Sequence, residues 1–317
     1  IVYLFRSFCY TYKASNSVNM NFFNVPDEFK KNPELNEEDL NHLREWISKQ
    51  PHLPLVTDEL LVLFFHSCFY RLEPTKLTIE SYFTLRTHSP ELFTKRDTDV
   101  KSVLEAFKTI SFCALPGSTP DGCKVIFIYA KRVEAELFVL ADFIKALSMV
   151  IDMLLMTSGT FNGLIIIYDM KGFSLSHVGR LGINMMKKYV YFLQDGLPAR
   201  LKAIHTINTA PFIDMINSMT KPFMKKELTE KMYYHSTTDP EAIFEYIPKE
   251  MMPIEIGGSG QPLKNINDDT FEKVKEMRKW FLEEENYRVD EQKRPGKPKT
   301  ESDYFGVEGS FKTLNLD

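Results

Sequence analysis

The sequence lacks any long uninterrupted hydrophobic run. No stretch of the 317 residues approaches the roughly 18 apolar residues that a membrane-spanning helix needs. The most hydrophobic segment, 137–156, is interrupted by Asp142, Lys145 and Asp152, which argues against a transmembrane helix. The short apolar stretch at 1–5 is followed, not preceded, by a basic residue. That order is not typical of a secretory signal.

Cysteine and net charge are both low. The four cysteines include no pair at C-x-x-C spacing, which favours reduced thiols in a cytoplasmic protein over a disulfide framework. The formal net charge is −4, so nothing attracts the whole chain to nucleic acid or to an anionic membrane, and a membrane contact must come from a local basic patch. We expect a monomer with no nucleic-acid partner.

Motifs of the common enzyme classes are also missing. The chain has no G-x-x-x-x-G-K-[ST] phosphate loop and no G-x-S-x-G nucleophile elbow. None of the seven histidines lies at the H-x-x-x-H spacing of a zinc site. His205, inside a predicted strand, and Asp169, at the end of another, are the remaining candidates, but a structural histidine and a turn-capping aspartate are commoner. We therefore predict a protein that is not an enzyme and has no metal or cofactor.

The N-terminal part of the sequence has the pattern of short amphipathic helices. Residues suited to cap or begin a helix precede four apolar patterns: Asn36, Thr57, Pro74 and Thr98. The third helix is predicted to direct Leu77, Tyr82 and Leu85 inward. We interpret 34–100 as a helical domain and 1–33 as a disordered extension.

The pattern then changes to alternating strands and helices. Runs rich in β-branched and aromatic residues predict strands at 124–129, 163–168, 201–208 and, more weakly, 232–235. Helical stretches lie between them, at 137–158 and 175–194. This alternation predicts an α/β domain at 101–262, with a mixed, largely parallel sheet and flanking helices. Residues 263–317 are predicted to form a C-terminal helix and an extended tail.

The helix predicted around 137–156 is apolar over more than half of its circumference. Its polar residues Asp142, Lys145, Ser148 and Asp152 form one narrow stripe. A helix with so wide an apolar surface needs two packing partners. An ordinary core helix and a wall shared with a lipid cavity both fit this pattern.

The segment 209–223 predicts a short helix bounded by Pro211 and Pro222, with one apolar face. A helix of this length between prolines is suited to move as a unit. A surface helix docked on the core and a mobile lid are both compatible with the sequence.

Four segments occur in a series that carries a family resemblance. They are GLIIIYDMKG at 163–172, LPARLKAIHTIN at 197–208, KPF at 221–223 and YIPKEMMPIEIGG at 246–258. This series resembles the CRAL-TRIO family of lipid-binding proteins, and the likeness runs from about 35 to 262. It is most similar to the α-tocopherol-transfer and retinaldehyde-binding branch, in its arthropod form.

The resemblance implies a cavity for one lipid, with a sheet as its floor, a helical wall and 209–223 as a mobile lid. By position in that fold, the cavity residues are Phe143, Ala146, Leu147, Val150 and Leu154 from the wall, Ile165 and Ile167 from the floor, Tyr189, Phe192 and Leu193 from the facing helix, Ile204 from the next strand, and Phe212, Ile213, Ile216 and Met219 from the lid.

The resemblance also implies a basic cluster that contacts phosphoinositide headgroups at a membrane. Its members here are Arg200, Lys202, Lys221 and Lys231, with Lys225 and Lys226 as additional cations. The chain departs from the family pattern where a lysine is replaced by Glu227 and arginines by His66 and Cys68. At about 1 kcal/mol for each basic residue near an anionic surface, these losses are a large fraction of the attraction.

The function implied is that of a cytoplasmic carrier, transiently at membranes, that binds and transfers a hydrophobic small molecule such as a tocopherol, retinoid or carotenoid. A lipid-sensing signalling adaptor and a phosphatidylinositol-type phospholipid transfer protein are the alternatives. The second fits less well, because the relatives that transfer phosphatidylinositol have Pro-Glu-Arg where this chain has Pro-Ala-Arg at 198–200.

Overall fold

The computed structural model describes residues 22–306 except Pro240, and leaves the side chain of Tyr304 undescribed. Residues 1–33 were expected to be a disordered extension, and 1–21 of these lie outside the described part of the chain. For residues 22–33 the expectation is wrong, because Val25–Lys31 is a helix. This helix is held to the body of the protein, since buried Glu28 accepts hydrogen bonds from Asn32 and Thr160.

Helices form the whole N-terminal part, as the sequence predicts. In chain order they are α1 Val25–Lys31, α2 Glu37–Ser48, α3 Asp58–Ser67, α4 Leu72–His88, α5 Pro90–Phe93 and α6 Lys101–Thr109. The side chains of Asn36 and Thr57 accept hydrogen bonds from the first turns of α2 and α3, so both predicted caps are confirmed. Leu77 is 69% exposed, so its predicted inward position on α4 is wrong.

Five strands form one mixed sheet in the order β1-β2-β3-β4-β5. They are β1 Ile110–Ala114, β2 Cys123–Ala130, β3 Gly163–Asp169, β4 Leu201–Thr209 and β5 Met232–Ser236. The last four are parallel, and β1 is antiparallel to β2. The four predicted strands and the largely parallel arrangement are confirmed, whereas β1 was not predicted.

The connections between the parallel strands place their helices on one side of the sheet. Strands β2 to β5 lie side by side in chain order, so each crossover steps in the same direction along the sheet. Because such crossovers are right-handed, their helices lie on the same face of the sheet. The helices in these connections are α7 Leu140–Ser158, α8 Leu175–Val178, α9 Ile183–Asp195, α10 Ile213–Thr220 and α11 Lys226–Thr229. We call this side the helical face.

The opposite side is covered by the segment that follows β5. It contributes α12 Leu263–Glu276, and it is followed by α13 Arg278–Glu284 and, near the end of the described chain, α14 Glu301–Phe305. Ile243, Met252 and Ile266 are buried against this side of the sheet. We call it the outer face. Among residues 22–306, with the gap at Pro240, no helix has the length and hydropathy to span a bilayer.

A buried ionic cluster links the helical domain to the rest of the protein. Asp152, from the polar stripe of α7, is paired with Arg86 of α4 and with Arg96, and both guanidiniums also pair with Glu284 at the end of α13. All four side chains are at most 3% exposed. Asp152, in the polar stripe of α7, therefore faces other protein segments, which explains how a buried part of this helix carries a charge.

Candidate functional site

The helical face gathers most of the residues expected to line a lipid cavity. Members of one continuous apolar cluster on this face are Ala146, Leu147, Val150 and Leu154 of α7, Tyr189, Phe192 and Leu193 of α9, and Ile204 of β4. The partly buried Phe143, Phe212, Ile216 and Met219 pack against it. Ile213 is half-buried and lies outside the cluster.

Ile165 and Ile167 do not belong to this group, which corrects the expected floor. Both lie on the outer face, in the cluster that contains Ile266. Neighbouring side chains of a strand point to opposite faces, so the floor under α7 is formed by Leu164 and Ile166 instead. An unbroken apolar strand gives no alternation from which its two faces are told apart.

The cover over the helical face is thin at α10, the centre of the segment expected to be a lid. Thr220 is the single buried residue of α10. The helix is held by side-chain contacts at its ends and centre. The Phe173 and Phe212 rings lie 6.4 Å apart, and the Tyr234 hydroxyl donates to Oδ1 of Asn217 at 2.7 Å. A segment that opens must be held by few buried contacts and few side-chain interactions.

One polar feature interrupts the apolar helical face. The hydroxyls of Tyr168, in β3, and Tyr189, in α9, are hydrogen-bonded to each other. Burial raises the pKa of both phenols well above their ordinary value, so both stay protonated. The sequence predicted Tyr189 at the cavity but missed Tyr168, whose position on the same face as Leu164 and Ile166 follows from the strand period.

Four of the six predicted membrane-contacting cations line an open depression of about 590 Å³. These are Arg200, Lys202, Lys225 and Lys231. Lys221 is exposed and Lys226 is paired with Glu230 at 3.6 Å, and neither lines the depression. Asn162, Arg200 and Lys231 directly precede β3, β4 and β5, so the basic depression lies at the amino edge of the sheet.

The cations of the basic depression have different interaction partners. Lys202 pairs with Asp121 at 3.7 Å, and Lys225 pairs with Asp195. The guanidinium of Arg200 lies 4.2 Å from the centre of the Phe69 ring and its Nε donates to the His66 carbonyl oxygen at 2.9 Å. Burial, together with Arg200 and Lys31, lowers the pKa of His66 to about 3. His66 is therefore neutral and does not replace a family arginine.

Phe69 and Tyr70, beside this depression, were not singled out by the sequence. Both have positive φ angles, 54° and 56°, in the turn that ends α3. Glycine is the usual residue at such a helix end. Phe69 is nevertheless 59% exposed, and its ring forms the surface on which Arg200 is stacked. Backbone dihedral angles of this kind leave no signal in a sequence that lacks glycine at the turn.

The two candidate polar residues of the sequence have structural partners. Oδ1 of Asp169 accepts hydrogen bonds from the Lys171 backbone and from the side chain of Asn208, which fixes the turn after β3. His205 is buried and hydrogen-bonded through Nδ1 to His235 at 2.9 Å. In the described part of the chain, no three His, Cys, Asp or Glu side chains converge as a metal site would require.

Comparisons with known proteins place this architecture. Residues 108–258 match the model of the CRAL/TRIO domain, and residues 32–103 match that of the Pinta-like UBA domain. The human α-tocopherol transfer protein-like protein is 28% identical over 242 residues, covering 75% of this chain and 69% of that protein. Clavesin-2 of Mus musculus is 23% identical, covering 74% and 72%.

Among solved structures, the crystal structure of Sfh5 matches with a TM-score of 0.44 and 15% identity, covering 66% of this chain and 74% of Sfh5. The domain match and the named relatives agree with the series of motifs at 163–172, 197–208 and 246–258. The chain carries a CRAL-TRIO domain, the domain of a family of lipid-binding and lipid-transfer proteins, and α-tocopherol transfer protein-like proteins and clavesins are among its homologues.

Proposed function

We propose that this protein is a carrier that binds a hydrophobic small-molecule lipid, such as a tocopherol, retinoid or carotenoid, and transfers it between membranes without altering it. The observation that carries the proposal is an incompletely covered apolar surface on the helical face, to which α10 contributes. Phe143, Tyr168, Phe212, Ile216 and Met219 pack against a closed core yet keep part of their own surface uncovered. Such surface is suited to a lipid and to a lid that closes over it.

The energetics suit a carrier. Burying some 400 Å² of apolar lipid surface contributes on the order of 10 kcal/mol at ~25 cal/mol per Å². Ordering the ligand and the lid offsets part of this gain. The remainder is enough for retention in water, while contact with a bilayer, which offers the lipid an equally apolar environment, permits release.

Membrane docking is proposed to involve both ends of the segment 210–231. Exposed apolar residues follow the carboxyl ends of three parallel strands: Val139 after β2, Leu175 after β3 and Met215 after β4. The basic depression lies at the amino edge, where Lys231 is half-buried. The segment with α10 runs from one edge to the other, so a bilayer lying along it meets apolar side chains and cations together.

A phosphoinositide headgroup is the proposed occupant of the basic depression. Its lining includes four cations against Asp195 and Glu227, and Arg200 and Lys231 have no carboxylate within ion-pair distance among the described residues. Phosphate oxygens would accept hydrogen bonds from these two cations. Glu227 lies within the same depression, where it weakens the attraction.

Three further expectations join this proposal. The proposed domain boundaries are those expected from the sequence, with a helical domain at 34–100, the lipid-binding domain at 101–262 and a C-terminal part from 263. The protein is a monomer. It resides in the cytoplasm and visits membranes transiently, which agrees with three free, buried cysteines, Cys68, Cys113 and Cys123.

Native mass spectrometry of the purified full chain, followed by lipid extraction, tests the carrier function. We expect one neutral lipid per chain, recovered unchanged after incubation. The purified protein should also accelerate movement of a fluorescent tocopherol or retinoid between vesicles. A chain that transfers only phosphatidylinositol would favour the phospholipid alternative. One that binds no lipid, but still binds protein partners, would favour the adaptor.

A further inference from the structure

The Tyr168–Tyr189 pair has one O–H donor for which the pair itself provides no acceptor. Two phenol hydroxyls hold two protons, and a hydrogen bond between them uses one. Among the described residues neither hydroxyl has a further partner. One O–H donor is therefore left without an acceptor, which is unfavourable in an apolar environment.

The pair lies where the apolar surface is incompletely covered. The Tyr168 ring is 6.4 Å from the Phe143 ring, which is 5.8 Å from that of Phe138. Phe138 lies 5.4 Å from Phe173, and Phe173 lies 6.4 Å from Phe212 at the start of α10. This row of rings connects the hydroxyl pair to the lid segment. Tyr168 packs against the apolar cluster as a partly buried residue, so protein does not cover it completely.

The surroundings of the Tyr168–Tyr189 pair disfavour an anionic ligand. No cation contacts either hydroxyl in the described part of the chain. The lysines of α9 are used elsewhere: Nζ of Lys187 donates to the Phe305 carbonyl oxygen, and Lys188 pairs with Glu91 and Glu301. A carboxylate or phosphate placed beside the tyrosines would be a buried charge without a counter-ion, which is strongly unfavourable.

We propose that Tyr168 and Tyr189 are the polar anchor of the lipid cavity, and that the ligand is a neutral lipid with an oxygen acceptor. A hydroxyl, carbonyl or ether oxygen would accept the unused O–H proton, while the rest of the molecule lies along the row of aromatic rings. Pure hydrocarbons and lipid anions are bound less well. This inference rests on the proposed carrier function and narrows its ligand class.

Two pairs of probes that differ by one oxygen test the anchor. They are retinol with its deoxy hydrocarbon, and β-cryptoxanthin with β-carotene; retinoic acid serves as the anion. We expect the full-length protein to bind the oxygenated member about three- to tenfold more tightly, as one net hydrogen bond allows, and to bind retinol more tightly than retinoic acid. Tyr168→Phe and Tyr189→Phe keep the rings and should each bring the ratio within a pair close to one.

Tyr82→Phe is the matched control. The Tyr82 hydroxyl is also buried without a partner among the described residues, but it lies in the helical domain beside Arg86. Its removal should leave the ratio unchanged. Binding of both members of a pair with equal affinity by the unmodified protein, a ratio that survives both Phe substitutions, or preference for retinoic acid would each overturn the anchor and leave the carrier standing. Failure to bind any probe, with no lipid in the purified protein, would overturn the carrier as well.

Discussion

Single residues of the basic depression have unequal freedom to meet a phosphate. Arg200 is fixed by the Phe69 ring and the His66 carbonyl oxygen, and Lys225 is engaged with Asp195. Lys231 is half-buried, and burial lowers its pKa. Lys202 is 60% exposed and only loosely paired with Asp121, at 3.7 Å. Lys202 is therefore the most free of the four to reorient toward a headgroup, while Lys231 has no carboxylate within ion-pair distance among the described residues.

Charge reversal at these two lysines should weaken docking. Lys202→Glu with Lys231→Glu is expected to lower binding to phosphatidylinositol bisphosphate vesicles by about 30-fold or more at low salt, at about 1 kcal/mol per cation. The difference should shrink as salt screens the exposed charges. Ligand affinity in vesicle-free solution should not change. Vesicle sedimentation across a salt series measures the effect.

Two lysines of α12 provide the control for net charge. Lys264→Glu with Lys273→Glu changes the formal charge equally, but places the change on the helix that covers the outer face. If this variant loses vesicle binding to the same extent, the attraction belongs to the whole protein and the depression has no special role.

Glu284 makes the ionic cluster sensitive to acid. Burial raises its pKa, but Arg96 and Arg86 outweigh burial and lower it to about 2, from an ordinary value of 4.5. A carboxyl with a lowered pKa in the folded state contributes stability that is present above its unfolded pKa. That contribution is lost as the pH falls from about 4.5 toward 2.

Glu284→Gln should destabilise the fold by roughly 3–5 kcal/mol at pH 7, because two buried guanidiniums lose part of their compensation. The deficit relative to the unmodified protein should narrow as the pH approaches 2, where Glu284 itself takes up a proton. Urea unfolding followed by circular dichroism measures both. The partly exposed neighbour Glu283 gives the comparison: Glu283→Gln should change stability by less than about 0.5 kcal/mol. A deficit independent of pH would contradict the assigned pKa.

For whole helices and strands, the sequence predicted the features that depend on residues close together in the chain. The caps at Asn36 and Thr57, the apolar strands and the helix around 140–158 all carry their signal within a few residues. The strand β1 does not, because Ile110 follows α6 directly, with no turn residue to separate them. Its five residues are recognised only through their antiparallel partner, β2.

The candidate site was predicted in part for the same reason. The family resemblance placed Leu147 and Val150 in the cavity wall, but no local signal assigned Ile165 to the outer face or joined Tyr168 to Tyr189. The polar stripe on α7 was visible in the sequence, whereas its partners Arg86 and Arg96 lie 66 and 56 residues away. Distant pairs of this kind are set by the packing of elements.

Neighbouring residues of α10 allow its two faces to be tested separately. Ile216 packs against the apolar cluster, whereas Met215 is 52% exposed. Ile216→Glu should abolish binding of a fluorescent tocopherol or retinoid, because an unpaired carboxylate would face the ligand. Met215→Glu should spare that affinity but lower binding to anionic vesicles. Equal ligand affinity in the two variants would show that α10 does not cover the ligand.

For the molecule as a whole, the helical domain and the sheet are parts of one structure. Leu40 and Phe64 of the helical domain belong to the same apolar cluster as Leu147 and Ile166, and the ionic cluster fastens α4 to α7. The C-terminal segment returns to the helical domain, where Arg294 pairs with Glu80. Because these parts share their core, a change of shape during lipid transfer is expected in a segment with few buried residues, and 209–223 has one, Thr220.

We therefore expect 209–223 to open at the membrane. Closed, its apolar residues cover the ligand; open, the same residues enter the lipid interface while Lys221, Lys225 and Lys231 meet headgroups. Since one set of residues is satisfied in both states, the free-energy gap is small and anionic lipid is sufficient to shift it. Hydrogen exchange should show faster exchange of amides 209–223, relative to the sheet, when anionic vesicles are added, and no change with neutral vesicles. If vesicles that demonstrably bind the protein leave the exchange of these amides unaltered, α10 is a fixed part of the core, and the ligand must leave by another route.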